Sequence, residues 1–481
     1  MPCLANSFSL AVGRTPINST RRKQLRSKRE CQVLCSAGNS DDRRILVLGG
    51  TGRVGSSTAA AIKNLEGSFE LLLAGRTKDK FEATVERRPT LKGSKFAQCD
   101  INDVRELEKA MEGVDLVVHA AGPFQRKEDT KVLDKCIELG VPYLDVCDDA
   151  AYSERVKAKH ADALEAGVPA ITTAGIYPGI SNLMAAHMIS TARGEYGEDG
   201  KLLPKADAAG AAVSPSRVLY SYFTAGSGGV GPTILETSFL LAGEEVTAYK
   251  DGKAVTVPPV SGWRSVDFGP GIGRRSVYLY NLPEVGSTHR CLGVPSVSAR
   301  FGTDPEFWNW AMVLLARAVP RGVLNNREAV ARIAKLADPL VRAVDKYVGE
   351  KVSMRVEVDF SNGKNVCGVF THKYLSESVG TSTAAFVDAM LTGQTQPGVW
   401  FPEEPEALQD RQRALDIASQ GCFLFACRSR ASPCSSAWGC TCNRRPRADS
   451  RPVPIPVPPA AATPRVGCLR LGAGSAAPPP R

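Results

Sequence analysis

The sequence predicts an α/β protein: a Rossmann-type doubly wound parallel sheet with a second α+β domain built on a mostly antiparallel sheet. Three observations predict it. An apolar run, Ile45-Leu46-Val47-Leu48, passes through a glycine-rich turn into an alanine-rich helical stretch at 56–65. Short apolar runs then alternate with helical patterns as far as residue 173, which is how a parallel sheet with right-handed crossovers is written. From about residue 210 the hydrophobic period becomes two, the mark of strands with one polar face.

In chain order, the parallel strands are expected at 43–48, 69–75, 95–99, 114–121, 141–146 and 168–173, with helices at 104–111, 127–139 and 150–166 between them. Residues 194–214, rich in glycine, alanine and charge, read as a loop. In the second domain Val352, Met354, Val356, Val358 and Phe360 fall on one face and Ser353, Arg355, Glu357 and Asp359 on the other. Asn362-Gly363 then turns the chain into 366–374, as Asp251-Gly252 does between 246–250 and 254–257. Helices are expected near 231–242, 304–318, 325–345 and 379–391. The organisation read from these patterns is a first domain at 41–190, a second at 210–400 and a helix at 401–420 returning to the first.

The two ends differ in composition from this body. Residues 1–40 carry a net charge of +6 and a single acid, Glu30, and they are rich in serine. That is the composition of an organelle transit peptide, and Val33-Leu34-Cys35-Ser36-Ala37 resembles the end of a chloroplast one. A mitochondrial address and a plain disordered basic arm are the rival readings. Residues 421–481 are rich in proline and alanine, with nine arginines and no lysine, and read as disordered. Of the overall +10, the ends hold +14 and residues 41–420 are left at −4. The body is therefore no nucleic-acid binder by charge. Five of the 14 cysteines lie in the body, Cys99, Cys136, Cys147, Cys291 and Cys367. They have no metal-ligand spacing, which argues against a disulfide scaffold and against zinc. No apolar run is long enough to span a bilayer.

The residues that carry chemistry lie where strands end. Gly50-Thr51-Gly52-Arg53-Val54-Gly55 has the spacing of a dinucleotide fingerprint between a strand and a helix. Its glycines permit the tight turn, the approach of a pyrophosphate and close helix packing. An NAD site places an acid at the end of the next strand to bind the ribose; here Ala74-Gly75-Arg76-Thr77-Lys78 stands there. The Arg76 fork suits a 2′-phosphate, so the expected cofactor is NADP. Asp100, after the third strand, is placed either for the adenine amino group or as a helix cap. Ala121-Gly122-Pro123, after the fourth, are small enough to lie against the nicotinamide half. After the fifth comes Asp145-Val146-Cys147-Asp148-Asp149, whose carboxylates can position an amine, carry protons or cap the next helix. After the sixth comes Tyr177-Pro178-Gly179, another tight turn into a helix. Asp145, Asp148 and Tyr177 are the candidate catalytic residues.

In combination, GGTGRVGSSTAAAI, LLLAGR, VVHAAGPF, YLDVCDD and GIYPGISNLMA resemble the saccharopine dehydrogenase-like (saccharopine reductase-like) family, and most of all its chloroplast members in plants and algae. GSGGVGPTILETSFLLAGE and LTGQTQPGVWFPEE extend the likeness to about residues 43–408. The resemblance implies an NADP-dependent oxidoreductase in which the second domain closes over the cofactor and the last segment returns to the first domain. It also implies cofactor contacts from Gly50, Gly52, Gly55, Arg76, Gly122 and Pro123. The chain departs from saccharopine-using members, which tend to have Asp-Pro-Gly where Tyr177-Pro178-Gly179 stands. It also has no cluster of arginines in sequence for a tricarboxylic substrate.

Hydride transfer to or from a small-molecule C=N, C=O or C=C is therefore the expected activity, and homodimerisation is left open. The rival from another class is a sensor or assembly protein that binds NADP(H) without turnover. A short-chain dehydrogenase is disfavoured, because Tyr347 and Lys351, which have the Tyr-x-x-x-Lys spacing, lie far beyond the fingerprint.

Overall fold

The structure is a computed structural model of the chain; it describes residues 43–203, 213–226 and 232–430. The arm at 1–40 and everything beyond residue 430 lie outside the described residues, as does 204–212 of the expected loop.

Six of the first sheet's strands follow one another as the alternation requires: β1 (Arg43–Leu48), β2 (Phe69–Gly75), β3 (Lys95–Gln98), β4 (Leu116–His119), β5 (Tyr143–Asp145) and β6 (Pro169–Ile171). Between them run α1 (Arg53–Ile62), α2 (Lys78–Arg87), α3 (Val104–Ala110), α4 (Lys131–Leu139), α5 (Ala150–Lys157) and α6 (His160–Ala166), and α7 (Ile180–Arg193) follows β6. The single helix expected at 150–166 is thus two. Helix α2 was not anticipated: its heavily charged face hides the helical period.

The second part holds β7 (Pro215–Ala225), α8 (Pro232–Ala242), β8 (Val246–Lys250), β9 (Lys253–Val257), β10 (Ser261–Asp267) and β11 (Arg274–Leu279). It continues with α9 (Pro283–Leu292), β12 (Ser296–Asp304), α10 (Glu306–Ala318), the short α11 (Arg321–Leu324), α12 (Arg327–Val348), β13 (Lys351–Phe360) and β14 (Asn365–His372). The chain then returns through α13 (Leu375–Leu391), β15 (Gly398–Trp400), α14 (Arg411–Ala418) and β16 (Cys422–Arg430).

The first sheet has the order β15-β6-β5-β4-β1-β2-β3, with every pairing parallel. Its order reverses between β1 and β4, where ligands collect in doubly wound sheets. The second sheet runs β10-β11-β12-β7-β13-β14-β16. It is antiparallel apart from β7 and β12, which pair in parallel over nine residues from Ser296↔Arg217 to Asp304↔Ala225.

One continuous core joins the two sheets. Ile45, Val47, Leu71 and Leu73 of the first and Val352, Met354, Val356 and Val358 of the second bury against the same helices, α1, α7 and α13. Helix α1 is so deeply enclosed that it uses Ser57, Thr58 and Ala59 where a surface helix would carry long side chains. The approach is set by Gly380 of α13, where a Cβ would stand 2.7 Å from the carbonyl of Ser57. The opposite face of β13, read as polar, is also partly covered. Arg355 is buried there and donates to the Asp267 carbonyl at 2.8 Å and to Glu357 at 2.7 Å.

One expectation is overturned. Residues 421–481 were read as disordered, yet Cys422–Arg430 forms a strand that pairs with β14 from His372↔Cys422 to Asn365↔Arg430. The short apolar run Phe423-Leu424-Phe425 supplies what pairing needs, with Phe425 edge-on to Phe370 at 6.1 Å; averaged into the polar tail behind it, that run is invisible. Among the described residues no helix is long and apolar enough to cross a membrane.

Candidate functional site

The turn after β1 is built for an anion. Gly52 caps α1 without a side-chain hydrogen bond, and no acid stands in the helix's first turn. The first N–H groups and the positive end of the helix therefore face the turn without a side-chain partner. The glycines hold this cradle open. A Cβ on Gly55 would lie 2.3 Å from the Gly49 carbonyl oxygen, and one on Gly50 would lie 2.8 Å from that of Val47. Gly49 itself takes φ +76° and sits against the backbone of Ala120 and Ala121, which explains why only small residues follow β4. Thr84 of α2 ties the cradle down, donating to the Thr51 carbonyl at 3.0 Å. These residues fit a dinucleotide pyrophosphate.

At the end of β2 Arg76 is exposed, with no ion pair among the described residues. Arg53 and Arg87 lie close enough to Arg88 to act on its charge, and burial lowers the Arg88 pKa; its fork donates to Ser57 at 2.8 Å. The tertiary structure thus brings Arg53, Arg87 and Arg88 together beside α1. Asp100 forms a turn, accepting from the backbone and side chain of Asn102 at 2.9 Å, while Asp103 does the helix capping.

The candidate catalytic carboxylates separate in role. Asp145 is fully buried, and its Oδ1 accepts from Thr173 N at 2.9 Å, Cys147 N at 3.0 Å and Thr172 Oγ1 at 3.1 Å. It clamps the ends of β5 and β6 together. Asp149 caps α5 by accepting from Tyr152 N at 2.6 Å. Asp148 does neither. It accepts from Gln125 Nε2 at 2.7 Å, and Gln125 in turn accepts from Thr237 of α8 at 3.2 Å. Burial pushes the Asp148 carboxyl up to about 6. Tyr177 stacks on Tyr222 of β7 at 4.6 Å, and its hydroxyl meets Thr224 Oγ1 at 2.9 Å. Asp148 and Tyr177 both stand at the junction of the two sheets. His119, at the end of β4, packs between Phe124 and Tyr143, and burial lowers it to about 3, so it is neutral.

Sequence reading missed Glu284 and Glu403. Glu284 opens α9, wholly buried, and neither of its oxygens nor the Tyr222 hydroxyl has a partner of ordinary hydrogen-bond geometry among the described residues. Burial pushes its carboxyl up to about 7, and the charges of Glu403 and Asp148 act in the same direction. Glu403, also buried, accepts from Asn182 Nδ2 at 3.0 Å, and Asn182 reaches Ser287 of α9 at 3.2 Å. Burial brings Glu403 to about 7 as well. Each follows a proline at the start of a helix or loop, where a solvated acid is as ordinary as a buried one, so no local signal marked them.

Beside Asp149 a cleft of about 560 Å³ opens between Arg126, Glu128 and Arg155 on one side and Glu244, Asn281 and Arg321 on the other. The arginines that no sequence cluster announced do meet here, but they are engaged. Arg126 bonds Asn325 at 2.8 Å and pairs with Glu244 at 3.3 Å; Arg321 pairs with Glu245 at 2.7 Å. Among the described residues no group of three or more His, Cys, Asp or Glu is arranged to hold a metal ion.

Residues 45–171 match the family model of the saccharopine dehydrogenase NADP binding domain. Among curated proteins the chain is 30% identical over 148 residues to carboxyaminopropylagmatine dehydrogenase of Synechocystis. It is 32% identical over 111 residues to the saccharopine dehydrogenase-like oxidoreductase of Mus musculus. These matches span 36% and 26% of the two relatives. Among solved structures, saccharopine dehydrogenase (L-Glu forming) from Saccharomyces cerevisiae superposes with a TM-score of 0.54 at 14% identity, over 81% of this chain and 100% of that one. Residues 45–171 are thus a match to the saccharopine dehydrogenase NADP binding domain, on a chain that has the saccharopine dehydrogenase fold.

Proposed function

We propose that this protein is an NADP-dependent oxidoreductase of the saccharopine dehydrogenase-like kind, acting on a small molecule at a C=N, C=O or C=C bond. The observation that carries the reading is the uncapped, glycine-lined start of α1 within the segment matching an NADP binding domain. The relatives with dehydrogenase or oxidoreductase names support the chemistry. In this reading Gly50, Thr51, Gly52, Arg53, Val54 and Gly55 hold the pyrophosphate, and Arg76 meets the 2′-phosphate. Asp100 lies toward the adenine, and Ala121, Gly122 and Pro123 line the nicotinamide side.

Bound NADPH supplies the hydride. The protein's own part is to orient the acceptor and move a proton. Asp148, half-protonated near pH 6, is suited to giving or taking that proton. Tyr177, fixed by Thr224 and the Tyr222 ring, orients the acceptor, while Asp145 keeps the strand ends in place. The proposed address is the chloroplast, supported by the basic, acid-poor residues 1–40.

Calorimetry tests the cofactor half: NADPH is expected to bind more tightly than NADH. Arg76→Ala is expected to erase most of that preference, a loss of about 10- to 100-fold. Equal affinity for both cofactors, or an unchanged ratio in the variant, removes the assignment. NADPH oxidation on a panel of imines, keto acids and enoyl thioesters tests turnover, and tight binding with none on any member favours a sensor.

A further inference from the structure

Helices α10 and α12 pack on α8 through Phe239, Leu240, Met312, Val330 and Ala334. Helix α10 is also apolar on the side facing away from that cluster, and α12 adds two exposed leucines among charged residues. Along α10, Phe307, Trp310 and Leu314 recur at helical spacing with 47%, 64% and 67% of their surface exposed. On α12, Leu336 and Leu340 lie one turn apart at 83% and 61%. A helix that is apolar all round is normally buried all round. An exposed apolar face of this kind, edged by polar groups, marks a contact with a protein or a membrane.

The edge decides between them. Arg317 and Arg321 stand at the end of α10 and in α11, and Arg332 and Lys335 at the start of α12, all exposed. Arg317 and Lys335 make no ion pair among the described residues, and Arg332 meets Glu328 only at 3.9 Å. Residues 306–340 carry a net +2, whereas residues 41–420 as a whole carry −4. A second copy placed on this face would set like net charge against like. Tryptophan, phenylalanine and leucine beside arginine and lysine are the composition that binds the interface of anionic membranes.

We propose that the outer face of α10 and α12 docks on an anionic lipid surface. Phe307, Trp310, Leu314, Leu336 and Leu340 enter the interface, and Arg317, Arg332 and Lys335 meet lipid phosphates. The inference does not depend on the oxidoreductase reading.

Sedimentation of the full chain with vesicles tests it. Binding is expected to phosphatidylcholine vesicles containing phosphatidylglycerol and not to phosphatidylcholine alone, weakening as salt is added. Trp310→Glu with Leu336→Glu is expected to abolish it, and Arg317→Ala with Lys335→Ala to weaken it about 30-fold. Unchanged NADPH binding by these variants shows that they fold. Three results overturn the proposal. They are no vesicle binding, binding that survives Trp310→Glu with Leu336→Glu (the basic chain ends then being responsible), and a concentration-dependent dimer that the same pair of substitutions dissociates.

Discussion

Glu284 shows what a single buried side chain can report. A carboxyl with no exposure and, among the described residues, no partner of ordinary hydrogen-bond geometry keeps its proton up to about pH 7, because burial disfavours its charged form. Its folded pKa of about 7, like those of Glu403 at about 7 and Asp148 at about 6, stands above the unfolded value. The sign follows: the folded state binds more protons, so these groups favour folding below about pH 4, and the advantage is lost as pH rises through 6 to 7. The melting temperature is therefore expected to fall between pH 5 and pH 8 by an amount that Glu284→Gln reduces; profiles of equal slope would refute this. For Asp148, replacement by Asn is expected to lower turnover about 10²- to 10⁴-fold on any substrate found. NADPH affinity should be little changed. An Asp148→Asn enzyme with full turnover would take the proton-carrying role away from this residue.

At the level of elements, glycine decides how close two segments come. Gly55 lets α1 start against the Gly49 carbonyl, and Gly380 lets α13 cross α1 at Ser57. Enlarging the side chain has a different consequence at each position. Gly55→Ala distorts the cradle, and calorimetry should find NADPH binding lost while the far-ultraviolet spectrum is kept. Gly380→Val pushes two buried helices apart and is expected to cost about 1–3 kcal/mol in urea unfolding, with cofactor affinity nearly unchanged. A Gly380→Val protein as stable as the parent would mean that the α1–α13 crossing relaxes freely.

Over the whole molecule, the chain's last described segments hold its two sheets in one piece. β15 extends the first sheet and β16 the second, with α14 between them. Arg411 of α14 is buried and anchors this return by donating to Ser190 of α7 at 3.0 Å and to the Glu403 carbonyl at 2.7 Å. Ending the chain at residue 421 uncovers β14 along eight paired positions, from Asn365 to His372. Such a protein is expected to melt at a lower temperature and to aggregate, because an unpaired inner strand edge invites pairing with other chains. A chain ending at residue 430, which keeps β16, is expected to melt at the higher temperature. Equal stability of the two truncations would show that β16 contributes nothing.

Much of the fold was legible because its signals are local. The fingerprint from Gly50 to Gly55, the alternation through Thr173 and the turns at Asp251-Gly252 and Asn362-Gly363 each lie within a few residues of one another, where φ preference and hydrophobic period act. Arg76 is picked out as a candidate for the same reason, by its fixed distance from the glycines. What lay beyond reach depends on residues far apart in the chain. Glu284 becomes a near-neutral acid only because β7, α9 and the loop at Glu403 close around it. Asp145 becomes a clamp and Asp148 a junction carboxylate only once β6 and α8 supply Thr173 and Thr237. Periodicity and spacing determine which segments form; desolvation and hydrogen-bond partnership, which assign chemistry to a side chain, exist only after those segments have packed.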